Sequence, residues 1–541
     1  MIFAALALVS STVAAPPQAL WDAWPLRRFV ETPAGCLRYS ELVSRLQALA
    51  TKHPGRARVE EVGRSAEGRA IHLLTVGTGP RRVLLWSQMH GDEPSATPAL
   101  LDAADYLLSD AQGSGVLESL TLLMVPMLNP DGTERGARRN AQGIDVNRDA
   151  LNLVTPEGRI LKAVRDRHQP ILGFNLHDQG RRTTVGDSGR LATIALLAVA
   201  GDPQGTMTEG RLRARRVASA VAAALEPMIG ASIARYDEDW SPRAFGDNIT
   251  AWGTPAVLIE SGGLPPGQPL TDLTRLNFVA LVSVLWSLAA DDLAGHDPAL
   301  YERLTRNSTD AYADVVLRGG RIVQETTPEP YRGDVAYDVA APDARTWGCP
   351  GAADTGPSRI VEVGDARFIT GGRDVDATGA LIVPAVTASV RGMGASGWLT
   401  ARALEDMARL GVARLRWHVA RRDVGEALAF AAERSGAARA KIEVADKADA
   451  PSALVVSRPP RRPKSAGLAD VLDALGAWQA ELQFARSGRG PHPRSPASPV
   501  PLTRDAPASF LVLKPGPPSA PEALVLDAVY IDGRELSRQA P

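Results

Sequence analysis

The sequence predicts an α/β domain with a mostly parallel, mixed central sheet flanked by helices, followed by a smaller β-rich domain. Three observations carry this expectation. Strand-like and helix-period stretches alternate from residue 21 to about residue 292, as in chains that stack helices on both faces of a sheet. After residue 300 the texture changes to short strand-like runs between Gly-, Pro- and Asp-rich turns. At 541 residues, the chain exceeds one ordinary core, so two or more domains are expected.

In the first half, strands are expected at Ala57–Gly63, Ala70–Val76, Val83–Ser87, Thr121–Pro126, Ile171–Asn175 and Ala256–Glu260, where branched and apolar residues run between turn formers. Helices are expected at Leu42–Thr51, Pro94–Leu108, Pro156–Arg167, Arg211–Met228 and Leu270–Leu288, where apolar residues recur at helical spacing. Ligands in such folds sit beyond the carboxyl ends of strands. His90 follows the strand ending near Ser87, His177 follows Ile171–Asn175, and Glu260 closes Ala256–Ile259.

In the second half, Ala313–Val323, Arg359–Asp365 and Val375–Val383 read as strands, then Thr400–Leu410 and Val424–Arg434 as helices. The Pro/Arg-rich stretches Ser457–Lys464 and Arg486–Pro507 read as loops, and Val525–Gly533 as a closing strand and turn. The expected domains are therefore residues 21–297 and 310–541.

Composition narrows the function class. Hydrophobic residues make up 45% and charged ones 22% of the chain, which is globular. A formal net charge of −1 gives no electrostatic reason to invoke nucleic acid. Residues 1–15 read as a secretory signal, with an apolar run from Ile2 and small residues Val13 and Ala15 before Pro16. No other segment reads as membrane-spanning, so an exported protein, periplasmic or secreted, is expected. Its two cysteines, Cys36 and Cys349, can form one disulfide or remain two buried thiols, and their number excludes a cysteine-based zinc site.

The chemistry lies in five short pieces: His90-Gly-Asp-Glu93, Asn129-Pro-Asp-Gly132, Arg138-Arg-Asn140 running into Gly143-Ile-Asp145-Val-Asn147-Arg148, then His177, and Glu260. His90 and Glu93 lie three apart in a Gly-containing turn, so both reach one ion, and His177 arrives from a distant strand end. Two histidines and a carboxylate form a catalytic zinc set with an open position. His53, His72, His168, His296, His418 and His492 read as structural or surface residues. From spacing alone, Asp145 is a turn cap or a support for a ligating histidine. Glu260 ends an apolar strand, where an unpaired charge is costly. It is therefore a general base or half of a buried ion pair with an arginine.

Together these pieces resemble the zinc carboxypeptidases of the carboxypeptidase A type. Val62-Gly-Arg-Ser-Ala-Glu-Gly-Arg69 is similar to the lead-in of their catalytic domains, so the resemblance covers roughly residues 21–295. It implies one Zn2+ held by His90, Glu93 and His177, with Asp145 supporting His90. It gives Glu260 the role of general base to a zinc-activated water, and Arg138 that of oxyanion stabiliser, with Arg139 able to exchange roles. Asn147 and Arg148 would hold the free C-terminal carboxylate of a peptide substrate, for which the planar Arg fork is suited. Tyr236 stands nearest to the place of the family's mobile tyrosine, and Asp178-Gln179 replaces the small hydroxyl residue common after the second histidine.

The second half resembles the small β-sandwich of amidohydrolases, but Ala385-Val-Thr-Ala-Ser-Val390-Arg-Gly392 lacks their HxH, so a catalytically dead accessory domain is expected. The resemblance leads to an exported zinc metallocarboxypeptidase. A zinc amidase or deacylase of peptidoglycan stem peptides or N-acyl amino acids, and a zinc-retaining binding protein without turnover, are the alternatives. Oligomeric state is not readable.

Overall fold

The computed structural model describes residues 15–31, 36–110, 113–236, 239–265, 268–322, 331–338 and 359–378, with further strands to residue 538. Two compact units divide close to residue 312.

The first unit holds helices α1 (Pro17–Arg27), α2 (Tyr39–Lys52), α3 (Ala96–Ser109), α4 (Gly113–Ser119), α5 (Pro130–Arg135), α6 (Pro156–His168), α7 (Glu209–Ile229), α8 (Phe245–Ala251), α9 (Thr271–Ala289) and α10 (Pro298–Arg303). Its strands are β1 (Ala57–Arg64), β2 (Ala70–Val76), β3 (Arg81–Trp86), β4 (Leu120–Val125), β5 (Leu172–Asp178), β6 (Thr184–Val185), β7 (Ile194–Ala198), β8 (Ile233–Arg235), β9 (Ala256–Ser261) and β10 (Asn307–Ser308). The main sheet runs β1-β2-β4-β3-β5-β9-β7-β8. Its centre is parallel through β4-β3, β3-β5 and β5-β9, and β7-β8 is parallel too. Antiparallel pairs β1-β2, β2-β4 and β9-β7 flank that centre. Apolar clusters cover the two faces of the sheet. One joins Val83, Leu85 and Leu176 to residues of α3, α7 and α9, and the other includes Trp86, Leu258 and Phe245.

Most element bounds lie within a few residues of the sequence expectation, with informative exceptions. β5 continues to Asp178, because its pairing with β9 continues through Asp178↔Ser261. His177 therefore lies within the strand rather than after it. β7 and β8 are additional to the expected strands, since β8 is three residues long and Ile194–Ala198 is an apolar run without alternation. The short helices α1, α4, α5, α8 and α10 are likewise additional. Helix α9 is long and apolar enough to cross a membrane by length and composition, contrary to the sequence reading. In the structure it is a core helix with Leu276, Val279, Leu281 and Leu285 buried.

Asp102 on α3 fastens the N-terminal segment. It accepts hydrogen bonds from Trp24 Nε1 at 2.8 Å and from the amides of Phe29 and Val30 at 2.9 and 2.8 Å. Burial pushes its carboxyl up to about 7 against these three bonds. The folded chain then keeps a proton that the unfolded chain releases near its ordinary value of about 3.9. This contribution is fully present below about pH 4 and is lost as pH rises through about 7, on the order of a few kcal/mol. Asp102→Asn should flatten that part of the stability profile, measured by denaturant unfolding of both proteins between those limits.

The second unit contains β11 (Tyr312–Ile322), β12 (Tyr331–Asp338), β13 (Arg359–Gly364), β14 (Thr370–Asp376), β15 (Leu381–Pro384), β16 (Arg414–Val419), β17 (Arg439–Glu443), β18 (Ser452–Ser457), β19 (Phe510–Pro515), β20 (Leu524–Ile531) and β21 (Arg534–Arg538). One sheet runs β13-β12-β11-β15-β19-β20-β21 with β14 on β11, and a second runs β16-β18-β17. The strand expected over Val375–Val383 is two strands, broken where the Thr378 amide donates to Asp376 Oδ1 at 2.9 Å. Cys36 is disulfide-bonded, and Cys349 lies outside the described residues. So do residues 1–14, the expected helices at Thr400–Leu410 and Val424–Arg434, the loops at 458–464 and Arg486–Pro507, and the segment Ala385–Gly392.

Candidate metal centre and active site

The sheet brings the motif residues to one end of β3, β5 and β9. His90 lies in the turn after β3, and Glu93 reaches back beside it. His177 is near the end of β5, directly in register with Glu260 on β9. Neighbours in register on parallel strands share a face, so His177 and Glu260 project to the same side.

His90, Glu93 and His177 are all buried, and their ligand atoms lie within 4.8 Å of one another. Glu93 Oε1 is 2.7 Å from His90 Nδ1, Glu93 Oε2 is 2.6 Å from His177 Nδ1, and the two Nδ1 atoms are 3.1 Å apart. A tetrahedral ion with Zn–N bonds of about 2.0 Å holds its ligand atoms roughly 3.3 Å apart. The donor set fits one such ion. Burial alone would lower His90, but Glu93 and Asp145 push it up to about 9. Burial would raise Glu93, but His90 and His177 hold it well below the usual carboxylate range. Burial lowers His177, with Glu93 opposing.

Asp145 touches both His90 and the turn that follows it. Its Oδ1 lies 3.0 Å from His90 Nε2 and accepts from the Asn147 amide at 2.9 Å. With Nε2 turned to Asp145, the Nδ1 lone pair of His90 is directed at the cluster. Arg138 donates from Nε to Asp145 Oδ2 and from Nη1 to Glu93 Oε1, each at 3.1 Å. Arg139 instead bonds the Gly143 carbonyl at 3.1 Å from an exposed position.

Glu260 is 7% exposed. Burial, then the Glu93 and Asp178 carboxylates, raise its pKa well above the ordinary value, with Arg138 opposing. Tyr236 stands in its field: the Glu260 charge, then burial, raise the Tyr236 phenol. Asn147 Oδ1 accepts from the Phe245 amide at 2.8 Å, which turns its NH2 group away from that bond. Arg148 is tethered by Nη1 to the Asn147 carbonyl at 2.8 Å.

Several supports lie beyond the reach of sequence reasoning. Asp178 accepts from the Ser95 amide at 3.1 Å and from the Ser95 hydroxyl, while its own amide donates to Glu93 Oε2 at 3.3 Å. Gln88, at a positive φ of 46°, donates to Thr133 Oγ1 at 3.1 Å and accepts from Thr97 Oγ1 at 2.7 Å. Asn140 accepts from the Gln142 and Ile144 amides and donates to Glu157, each at 3.0 Å. The polar character of these buried positions is the one signal the sequence carries for them.

Residues 42–158 match the family model described as zinc carboxypeptidase. The chain is 28% identical over 142 residues to the carboxypeptidase N catalytic chain of Homo sapiens, covering 22% of this chain and 31% of that protein. It is 27% identical over 159 residues to carboxypeptidase Z of Homo sapiens, covering 25% of this chain and 24% of that one. These matches span less than a third of either relative. Among solved structures it is similar to a metallo-carboxypeptidase from Burkholderia cenocepacia, with 19% identity and a TM-score of 0.40 over 47% of this chain and 70% of that one. The carboxypeptidase A from Helicoverpa armigera gives 18% identity and a TM-score of 0.41 over 52% and 80%. The stretch that matches this family model, residues 42–158, holds His90, Glu93, Arg138, Asp145, Asn147 and Arg148.

Proposed function

We propose that this protein is an exported zinc metallocarboxypeptidase that removes the last residue of a peptide. The observation that carries the reading is the convergence of His90, Glu93 and His177 beside a buried Glu260. Zinc, when bound, supplies a Lewis acid that polarises a carbonyl and lowers the pKa of water to about 7. His90, Glu93 and His177 would hold it. Glu260 takes the proton of the attacking water and passes it to the leaving amine, a transfer favoured by a carboxylate whose proton affinity is raised. Arg138 offers a fixed positive charge to the developing oxyanion. Asn147 and Arg148 bind the terminal carboxylate, and Tyr236 covers the substrate next to Glu260. The disulfide at Cys36 supports export, because disulfides persist in oxidising compartments.

The test compares peptides with a free and an amidated C-terminus. Only the free form should be trimmed. Arg148→Ala should raise KM for it by about 10- to 100-fold, the weight of a charge-assisted bond. Equal cleavage of both forms would direct the reading to an amidase.

A further inference from the structure

The piece Asn129-Pro-Asp-Gly132 supplies neither a metal ligand nor a group assigned to substrate, yet it lies against both segments that do. Three of its residues have local tasks. Pro130 opens α5, where a missing N–H costs nothing. Asp131 accepts from the Ser65 hydroxyl at 2.7 Å, the Glu67 amide at 2.9 Å and Arg69 Nη1 at 2.6 Å, which ties down the turn between β1 and β2. Gly132 leaves room, since a Cβ there would stand 2.4 Å from Asn129 Nδ2 and 2.8 Å from the Ala137 carbonyl oxygen.

Asn129 is fully buried. Its Oδ1 accepts from the Gly132 amide at 2.9 Å and so caps α5. Capping needs only that oxygen, and Ser or Asp would serve as well. The amide group of the side chain does something else. Nδ2 donates to the Met89 carbonyl at 3.3 Å and to the Arg138 carbonyl at 3.4 Å. Met89 precedes His90, and Arg138 is the residue that bonds both Asp145 and Glu93. One carboxamide thus spans the His90 turn and the backbone of the arginine. The main chains also meet here: the Asn129 amide donates to the Gln88 carbonyl at 2.9 Å, and a Cβ on Gly91 would lie 2.0 Å from the Gly132 carbonyl carbon.

We propose that Asn129 is a positioning residue that locks the His90 turn and the Arg138 segment into one geometry, so that the metal centre and the oxyanion charge keep their spacing. The Arg138 half of the proposal rests on the carboxypeptidase reading. Misplacement of such groups by about 1 Å costs on the order of 100-fold in rate.

The experiment uses Asn129→Ser and Asn129→Asp, which keep a capping oxygen and lose the Nδ2 amide. Both variants and wild type are loaded with Zn2+ for peptide kinetics and with Co2+ for absorption spectra, whose bands follow ligand geometry, and all are melted in parallel. The variants should lose about 10- to 100-fold in kcat with little change in KM, shift the Co2+ bands and melt close to wild type. Unchanged kcat and unchanged bands overturn the proposal, reduce Asn129 to a helix cap and leave the carboxypeptidase reading intact. Either change without the other also overturns it, since only one segment would then be held. If wild-type protein turns over no peptide, the carboxypeptidase reading fails and the bands alone decide: shifted bands support the positioning of the centre, and unshifted bands overturn it. Loss of folding in both variants overturns the proposal too, because Asn129 would then serve the fold rather than the site.

Discussion

Glu260→Gln is expected to lower kcat by about 10²- to 10⁴-fold, the usual contribution of a positioned general base, while zinc content and peptide affinity stay near wild type. The expectation follows from where β9 ends. Pairing with β5 sets Glu260 beside His177, and burial with the Glu93 and Asp178 charges raises its proton affinity. Gln preserves the shape but cannot accept and return a proton. Rapid-quench kinetics on the zinc-loaded variant checks this. A variant that loses zinc or unfolds would assign Glu260 a structural part instead.

His177→Ala should reduce zinc affinity by more than about 100-fold, beyond the 10- to 100-fold typical of an outer-sphere partner. Asp145→Asn should fall within that smaller range, since Asp145 reaches the centre through His90 Nε2. Competition with a chelating dye measures both. Equal losses would mean that His177 is not a ligand, and unchanged affinity in His177→Ala would remove it from the centre.

Much of this arrangement is legible in the sequence because its parts are local. His90 and Glu93 share one turn, and Arg138, Asp145, Asn147 and Arg148 share one loop, so spacing alone groups them. His177 and Glu260 are legible as polar residues at the ends of apolar strands. Their register with each other depends on strand order, which spacing does not encode. The same limit hides the Ser95–Asp178 pair, which is joined only by folding. β7 and β8 escape a sequence reading because one lacks alternation and the other is very short, so sheet pairing rather than local pattern forms them.

The most direct measurement is mass spectrometry of a mixed peptide library incubated with zinc-loaded protein, with chelated protein as control. Loss of single C-terminal residues that stops on chelation is the predicted result. An untouched library, with zinc bound at His90, Glu93 and His177, would contradict the account.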